Sequence, residues 1–217
     1  MKRLSASLLI LLVAAGCLRA LHPAASCPEG DLLLAAGIWR PEGRLLLRQS
    51  ALVTLGDRSL PLDGVLELDP SRGSARLVAI DPMGIKLFDI TVRRDAAPES
   101  RGTPPPGVAG AIPAVSESLR RIYLLLPSGA ASELRDEGDA RVVRVVGESL
   151  RETWVFDGLT GRLRARVVKG RGSDWEVSYG PPTFFGGVGV PGEIILHDRK
   201  AGYRLTIRSI EVMRGDE

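Results

Sequence analysis

The chain carries two histidines and two cysteines in 217 residues, and proton transfer, metal ligation or thiol chemistry would have to be built from them. His197 is followed by Asp198, but neighbouring side chains in a strand face opposite sides, so the pair cannot act together locally. His22 lies in a Pro-containing stretch near the N-terminus. No Cys/His cluster has metal-ligand spacing. There is no G-x-S-x-G, no P-loop and no dinucleotide fingerprint after a strand. Residues 186–192, GGVGVPG, hold glycines, but no helix follows to receive a phosphate. The carboxylates of Asp69, Asp81 and Asp157 sit in turn sequences, where their ordinary role is local hydrogen bonding. The reading is therefore of a non-enzyme, with no catalytic residue, no metal site and no cofactor site.

The first cysteine is more informative than either histidine. Lys2 and Arg3 open the chain, Leu4 to Val13 is uncharged and mostly apolar, and Ala14, Ala15 and Gly16 precede Cys17. Basic end, apolar middle and small-residue exit are the layout of a secretory signal, residues 1–16. A membrane span needs about 20 apolar residues, and this run is shorter. The segment resembles a bacterial lipoprotein signal, whose lipobox ends in Gly-Cys or Ala-Cys. That resemblance implies lipidation at Cys17, with a diacylglycerol on sulfur and an acyl chain such as palmitate on the amine. Two or more chains hold a protein on a membrane without help. The same resemblance implies that Leu18, in place of an aspartate, favours sorting to the outer membrane, facing the periplasm. A rival cut precedes Cys27, but Arg19, His22 and Pro23 break its apolar approach. With Cys17 lipidated, Cys27 has no partner in the chain and is either an inert tether residue or a free thiol.

Removing residues 1–16 takes Lys2 and Arg3 away and lowers the formal net charge from +3 to about +1. Nucleic-acid binding rests on a net positive field, so that class loses its support. The partners expected are a membrane, acylated cargo and other envelope proteins.

The elements follow from periodicity. Residues 17–43 read as a lipidated tether, with a possible short helix over 31–39 after Asp31. Residues 44–217 read as one β domain. From Arg44 the apolar period is two: Leu60, Leu62, Leu66 and Leu68 share one face. The turns DPSRG and DPMG then separate residues 75–80 and 85–92, an antiparallel meander. Residues 95–113, rich in Pro and Gly, read as an exposed loop or insert, and Ser116 as the cap of a helix to Leu126. In the second half, Leu163, Ala165 and Val167 alternate with Arg162, Arg164 and Arg166, the pattern of a strand with one wet face. Trp175, Val177 and Tyr179 also point inward. The last strand changes phase between Ile207 and Ile210, the mark of a bulge. The fold class is mainly β (α+β): a strongly curved antiparallel sheet or incomplete β-barrel of nine or ten strands, with a helix covering its concave face.

Phe184 and Phe185 are adjacent in a glycine-rich stretch, so alternation cannot turn both into a core. The stretch is either an apolar lid touching acyl chains or a loop folded back on the sheet. The signal, the runs LDGVLELDP, SARLVAIDPMGIKLFDITV, TWVFDGLTGRL and WEVSYG, and the final VPGEIILHDRKAGYRLTIRSIEV together resemble the lipoprotein-localisation (LolA/LolB-like) superfamily. The resemblance implies an incomplete barrel whose apolar concave face holds acyl chains, and an anchored protein that binds or transfers acylated cargo. Candidate lining residues are Leu66, Leu68, Leu77, Ile80, Leu87, Ile90, Ile122 and Trp175, with Phe184 and Phe185 at the lid. The same residues also suit an ordinary filled core, which makes a structural or accessory docking protein the alternative.

Overall fold

A computed structural model describes residues 43–106, 108–124, 126 and 131–215. Cys17, Cys27, the signal, the tether and the helix expected at 31–39 lie outside them. Most of the described chain is strand. Leu45–Leu55 (β1), Arg58–Asp69 (β2), Ser74–Ile80 (β3), Lys86–Arg93 (β4) and the short Glu99–Ser100 (β5) form the first half. A helical segment follows: a 3-10 turn at Ala109–Ala111, the α-helix Ile112–Leu119 (α1), and a π turn at Arg120–Leu124. The second half holds Ala131–Glu137 (β6), Ala140–Val146 (β7), Leu150–Asp157 (β8), Leu163–Gly170 (β9), Ser173–Tyr179 (β10), Pro182–Phe185 (β11), Val188–Pro191 (β12), Glu193–Asp198 (β13) and Tyr203–Arg214 (β14).

Twelve strands form one sheet in the order β5-β4-β3-β2-β1-β14-β13-β10-β9-β8-β7-β6, and β11 and β12 form a separate hairpin. Every pairing is antiparallel. The edges are β5 and β6, and the chain passes from one to the other through the helical segment. A curved sheet buries its concave face only if something crosses it, and that connection supplies α1. The result is a mainly β fold with more strands than periodicity counted: the charged run ELRDE, within 131–137, is itself an edge strand, where exposed charge protects a free ladder.

Two linked apolar clusters fill the concave face. One gathers Val143, Trp154, Phe156, Trp175, Val177, Leu196 and Ile207 from the second half, with Ile122 of the π turn. The other gathers Leu45, Leu47, Leu66, Leu68, Ile90 and Val92 from the first half, with Leu119 and Leu124. Tyr123 packs against both. Leu55 and Leu60, on the inward parity of β1 and β2, are exposed because the far end of this hairpin extends past the cover.

Three sequence expectations change. Helical structure begins at Ala109, inside the stretch read as a loop, and α1 begins at Ile112. Pro113 sits in its first turn, where a missing N–H costs nothing. Ser116 is not a cap; it is a buried residue of the second helical turn. The phase of β9 is also inverted. The register shifts between Val155 and Phe156, which face Ala165 and Leu163. Arg164 is the extra residue, so Arg166 and Val168 turn into the core with Leu163. The bulge expected in β14 is present: Arg48 pairs with Glu211 and Gln49 with Ser209, leaving Ile210 over.

Candidate functional site

Polar bonds fix the helical segment to the sheet. Arg94 Nε donates to the Leu124 carbonyl at 2.9 Å, and Arg120 Nε to the Arg93 carbonyl at 3.0 Å. Tyr179 donates its hydroxyl to the Ile122 carbonyl at 2.9 Å, and Tyr123 its hydroxyl to Gln49 at 3.2 Å. The Ser118 and Tyr203 hydroxyls lie 2.8 Å apart, and Arg121 pairs with Asp198 at 2.5 Å. Under α1 the concave face is thus filled and tied down.

Beside the helix it is open. The hairpin β11–β12 turns through Gly186 and Gly187, both at positive φ (54° and 82°). Two successive left-handed residues are what a tight hairpin turn needs, and glycine takes them without strain. Strand alternation then separates the adjacent aromatics. Phe185 packs against the second cluster with Val188 and Val190, while Phe184 is 62% exposed. The Phe184 ring lies over Gly189, its register partner, where a Cβ would stand 2.9 Å from the ring.

Between this hairpin and the sheet lies a groove of about 840 Å³. Its apolar wall is Leu45, Leu47, Leu68, Leu163, Tyr179 and Val190, with Phe184 and Pro182 at the lip and Asp157, Thr160, Arg162 and Arg164 on the rim. The rim charges satisfy one another. Asp157 accepts the Thr160 and Leu159 backbone N–H groups and pairs with Arg164, which also reaches Asp139 at 2.9 Å. The Thr160 N–H first, and then Arg164, hold the Asp157 carboxyl far below the usual carboxylate range. Arg162 stacks on Phe184 at 5.6 Å, joining the β8–β9 turn to the hairpin.

Deeper in lies a buried ion pair. Arg166 Nη2 donates to Glu152 Oε2 at 2.9 Å, with side chains only 3% and 4% exposed. The Trp154 indole donates to the same oxygen at 3.1 Å. The guanidinium carbon stands 4.2 Å from the Trp154 ring centre and 5.0 Å from that of Trp175. Burial pulls the Arg166 guanidinium below its ordinary value, and Glu152 opposes the pull. A cavity of about 40 Å³ adjoins Arg166, lined also by Arg94, Arg121, Trp154 and the π turn that ends the helical segment. Leu68, Leu163 and Tyr179 line both this cavity and the groove.

Of the residues expected to line a site, the groove brings together Leu68 and Phe184. Leu66 and Ile90 are buried in one cluster, Ile122 and Trp175 in the other. Leu77, Leu87 and Phe185 are partly buried against the core. Ile80 is half-buried and belongs to neither cluster: Ala75, Leu77 and Ala79 take the inward positions of β3, and Ile80 falls on the other face. Leu45, Leu47, Leu163, Tyr179 and Val190 fall outside that set; the period of two from Arg44 points to the first two, and the alternation in β9 and β10 to Leu163 and Tyr179. His197 is exposed and Asp198 buried, on opposite faces of β13. Among the described residues no group of three His, Cys, Asp or Glu is placed to hold a metal ion.

The fold is LolA-like. A LolA superfamily protein from Nitrosomonas europaea superposes with a TM-score of 0.61 at 11% identity, over 88% of this chain and 96% of that one. A DUF1329 family protein from Desulfovibrio piger gives 0.58 at 8%, over 86% and 91%. A candidate outer-membrane lipoprotein-sorting protein domain from Vibrio parahaemolyticus gives 0.54 at 7%, over 83% and 88%. Among curated proteins none matches the sequence significantly. The model of one family, described as a protein of unknown function (DUF3261), matches residues 46–211, and the chain belongs to that family.

Proposed function

We propose that this protein is a non-catalytic lipoprotein, anchored through Cys17 to the periplasmic face of the outer membrane, that binds or transfers acylated cargo. The observation that carries the reading is the groove of about 840 Å³ with its wall of Leu45, Leu47, Leu68, Leu163 and Val190. Ligand pockets for molecules of lipid or drug size run from about 300 to 1,000 Å³ and are mostly apolar with a few polar groups at the mouth. The fold it shares with the Vibrio lipoprotein-sorting candidate is consistent with an envelope role.

The test uses the full chain carrying Cys17→Ala, purified without detergent, so that no attached lipid interferes. Native mass spectrometry is expected to find copurified lipid. A photoreactive acyl probe is expected to label peptides of β1 and the β11–β12 hairpin in a saturable way. Absence of bound lipid together with non-saturable labelling would sink the reading. That result would favour a docking scaffold for other envelope proteins, the second reading, which draws on the filled half of the sheet beneath α1. Incorporation of radioactive palmitate tests the anchor: it is expected to be lost in Cys17→Ala and kept in Cys27→Ala, and the reverse pattern would move the cut site.

A further inference from the structure

The charged groups on the groove's rim are not equivalent. Asp157 is saturated: Oδ1 accepts the Leu159 and Thr160 N–H groups and the Thr160 hydroxyl, and Oδ2 accepts Nε and Nη2 of Arg164. Arg164 gives Nη1 to Asp139. Arg162 stands apart. Its guanidinium has no carboxylate and no hydrogen-bond acceptor among the described residues, and its charge is met by the Phe184 ring, 5.6 Å away. A ring covers one face of a guanidinium and leaves the in-plane fork of N–H donors free. The side chain is half-buried, and the backbone beneath it is fixed by the Asp157 N–H, which donates to the Arg162 carbonyl at 2.7 Å. The next residue, Leu163, belongs to the apolar wall. A cation held by a ring, with its donors free, thus stands one residue from the wall, at the lip of the groove.

We infer that the groove takes an anionic amphiphile: its chain lies on the wall of Leu45, Leu47, Leu68, Leu163 and Val190, and an oxyanion on its head, phosphate or carboxylate, is bound by Arg162 at the rim. The inference rests on the acyl-binding reading of the groove and adds the charge of the head. Both oxyanions present the paired acceptors that a guanidinium fork matches, and charge-assisted N–H···O bonds are about twice as strong as neutral ones. Arg162 lies on the open rim and not in an enclosed cavity, so size does not separate the two. The neighbouring carboxylates are screened from such a head. Asp157 is covered by its own donors, and Asp139 lies outside the groove lining with its side chain 77% exposed to water.

The test compares ligands that share one chain and differ at the head. Displacement of an uncharged apolar fluorophore from the full chain carrying Cys17→Ala is measured at about pH 8, where both oxyanions are ionised. The competitors, each below its micellar concentration, are dodecyl phosphate, dodecanoate, dodecanol and dodecyltrimethylammonium, with inorganic phosphate as the free ion. The two anions are expected to displace the probe at concentrations about fivefold below dodecanol, and the cation to need more than dodecanol. The anionic advantage is expected to shrink in about 1 M salt, where the screening length falls to about 3 Å. Inorganic phosphate is expected to displace nothing. An advantage for one oxyanion alone upholds the site and names its head. Equal displacement by anions and alcohol would overturn the headgroup assignment and leave the groove reading intact, and displacement by none of the four amphiphiles would overturn both. Arg162→Gln is expected to abolish the advantage, and Arg162→Glu to turn it into one for dodecyltrimethylammonium, which also shows that the variant is folded. Arg208→Gln, which removes one charge from the other face of the sheet, beside Glu193, is expected to keep the advantage. An advantage that survives in Arg162→Gln, or an equal loss in Arg208→Gln, would overturn the role of Arg162.

Discussion

Replacing Arg166 by methionine isolates the energetics of the buried pair. Glu152 stays 3% exposed and keeps the Trp154 indole bond, but its guanidinium partner is gone. Truncating one partner of a buried ion pair costs about 3–5 kcal/mol, most of it the penalty on the charge that remains. For a domain of this size each kcal/mol shifts Tm by about 2–4 °C, so Arg166→Met is expected to lower Tm by about 6–20 °C. Glu152→Gln should also destabilise, because it leaves the guanidinium without its carboxylate. The double variant Glu152→Gln/Arg166→Met carries neither charge. Gln keeps an acceptor for Trp154, and Met fills the volume between the two indoles. It is expected to recover most of the loss and to lie within about 2 kcal/mol of the parent. Urea unfolding of the four proteins, read by tryptophan emission, gives the coupling directly. Additive losses would refute the reasoning, since they would mean that Arg166 and Glu152 are held by something other than each other.

Other outcomes follow from the geometry. Arg76 holds the Asp89 carboxyl below its ordinary value of 3.8; Asp198, although burial opposes it, is held low by the Ala201 N–H and Arg121. Depressed carboxylates contribute stability above their unfolded value and lose it as pH falls through the folded one. Stability should therefore hold down to about pH 4 and fall below it, with a shallower acid limb in Asp89→Asn and Asp198→Asn. Burial raises the phenols of Tyr123 and Tyr179 above 10.0, so stability should fall as pH rises past that value, and less steeply in Tyr179→Phe. A Cβ at Gly170 would stand 2.1 Å from the Ser149 carbonyl oxygen, and Gly170→Ala should cost about 1–3 kcal/mol in chemical denaturation. Phe184→Ser removes a lip residue that is 62% exposed; it should cost about 1 kcal/mol or less while weakening capture of the photoreactive acyl probe.

The parts of this fold that were legible in the sequence are those where one face is wet and the other dry. Trp175, Val177 and Tyr179 alternate with charged or polar neighbours and do face inward, and the phase change in β14 does mark a bulge. The failures have specific causes. Arg166 reads as a surface residue in an alternating Arg run, because nothing local reveals that Arg164 is extruded and the face reversed. Only the partner strand knows the register. The helical start at Ala109 was missed because Pro113, at the head of α1, looks in sequence like the end of a loop. The groove was half visible. Phe184 and Phe185 marked the stretch as a lid or a folded-back loop, where the structure has a hairpin, and the groove's far wall comes from β1, β2 and β9, elements distant in sequence that only the pairing of the sheet brings together.

That closure has a consequence for how the chain comes to be folded. The first and last strands of the domain are neighbours at the middle of the sheet, with Leu45 opposite Arg214 and Leu55 opposite Tyr203. Until the last strand has emerged from the ribosome, β1 has one long edge unpaired and the two halves have no ladder between them. Contacts that span nearly the whole chain are slow to form. The domain thus stays unlatched for as long as it is being synthesised. Synthesis of Tyr203–Arg214 is the event that fastens it, and a chain cut short before Tyr203 would lack the only ladder between the halves among the described residues.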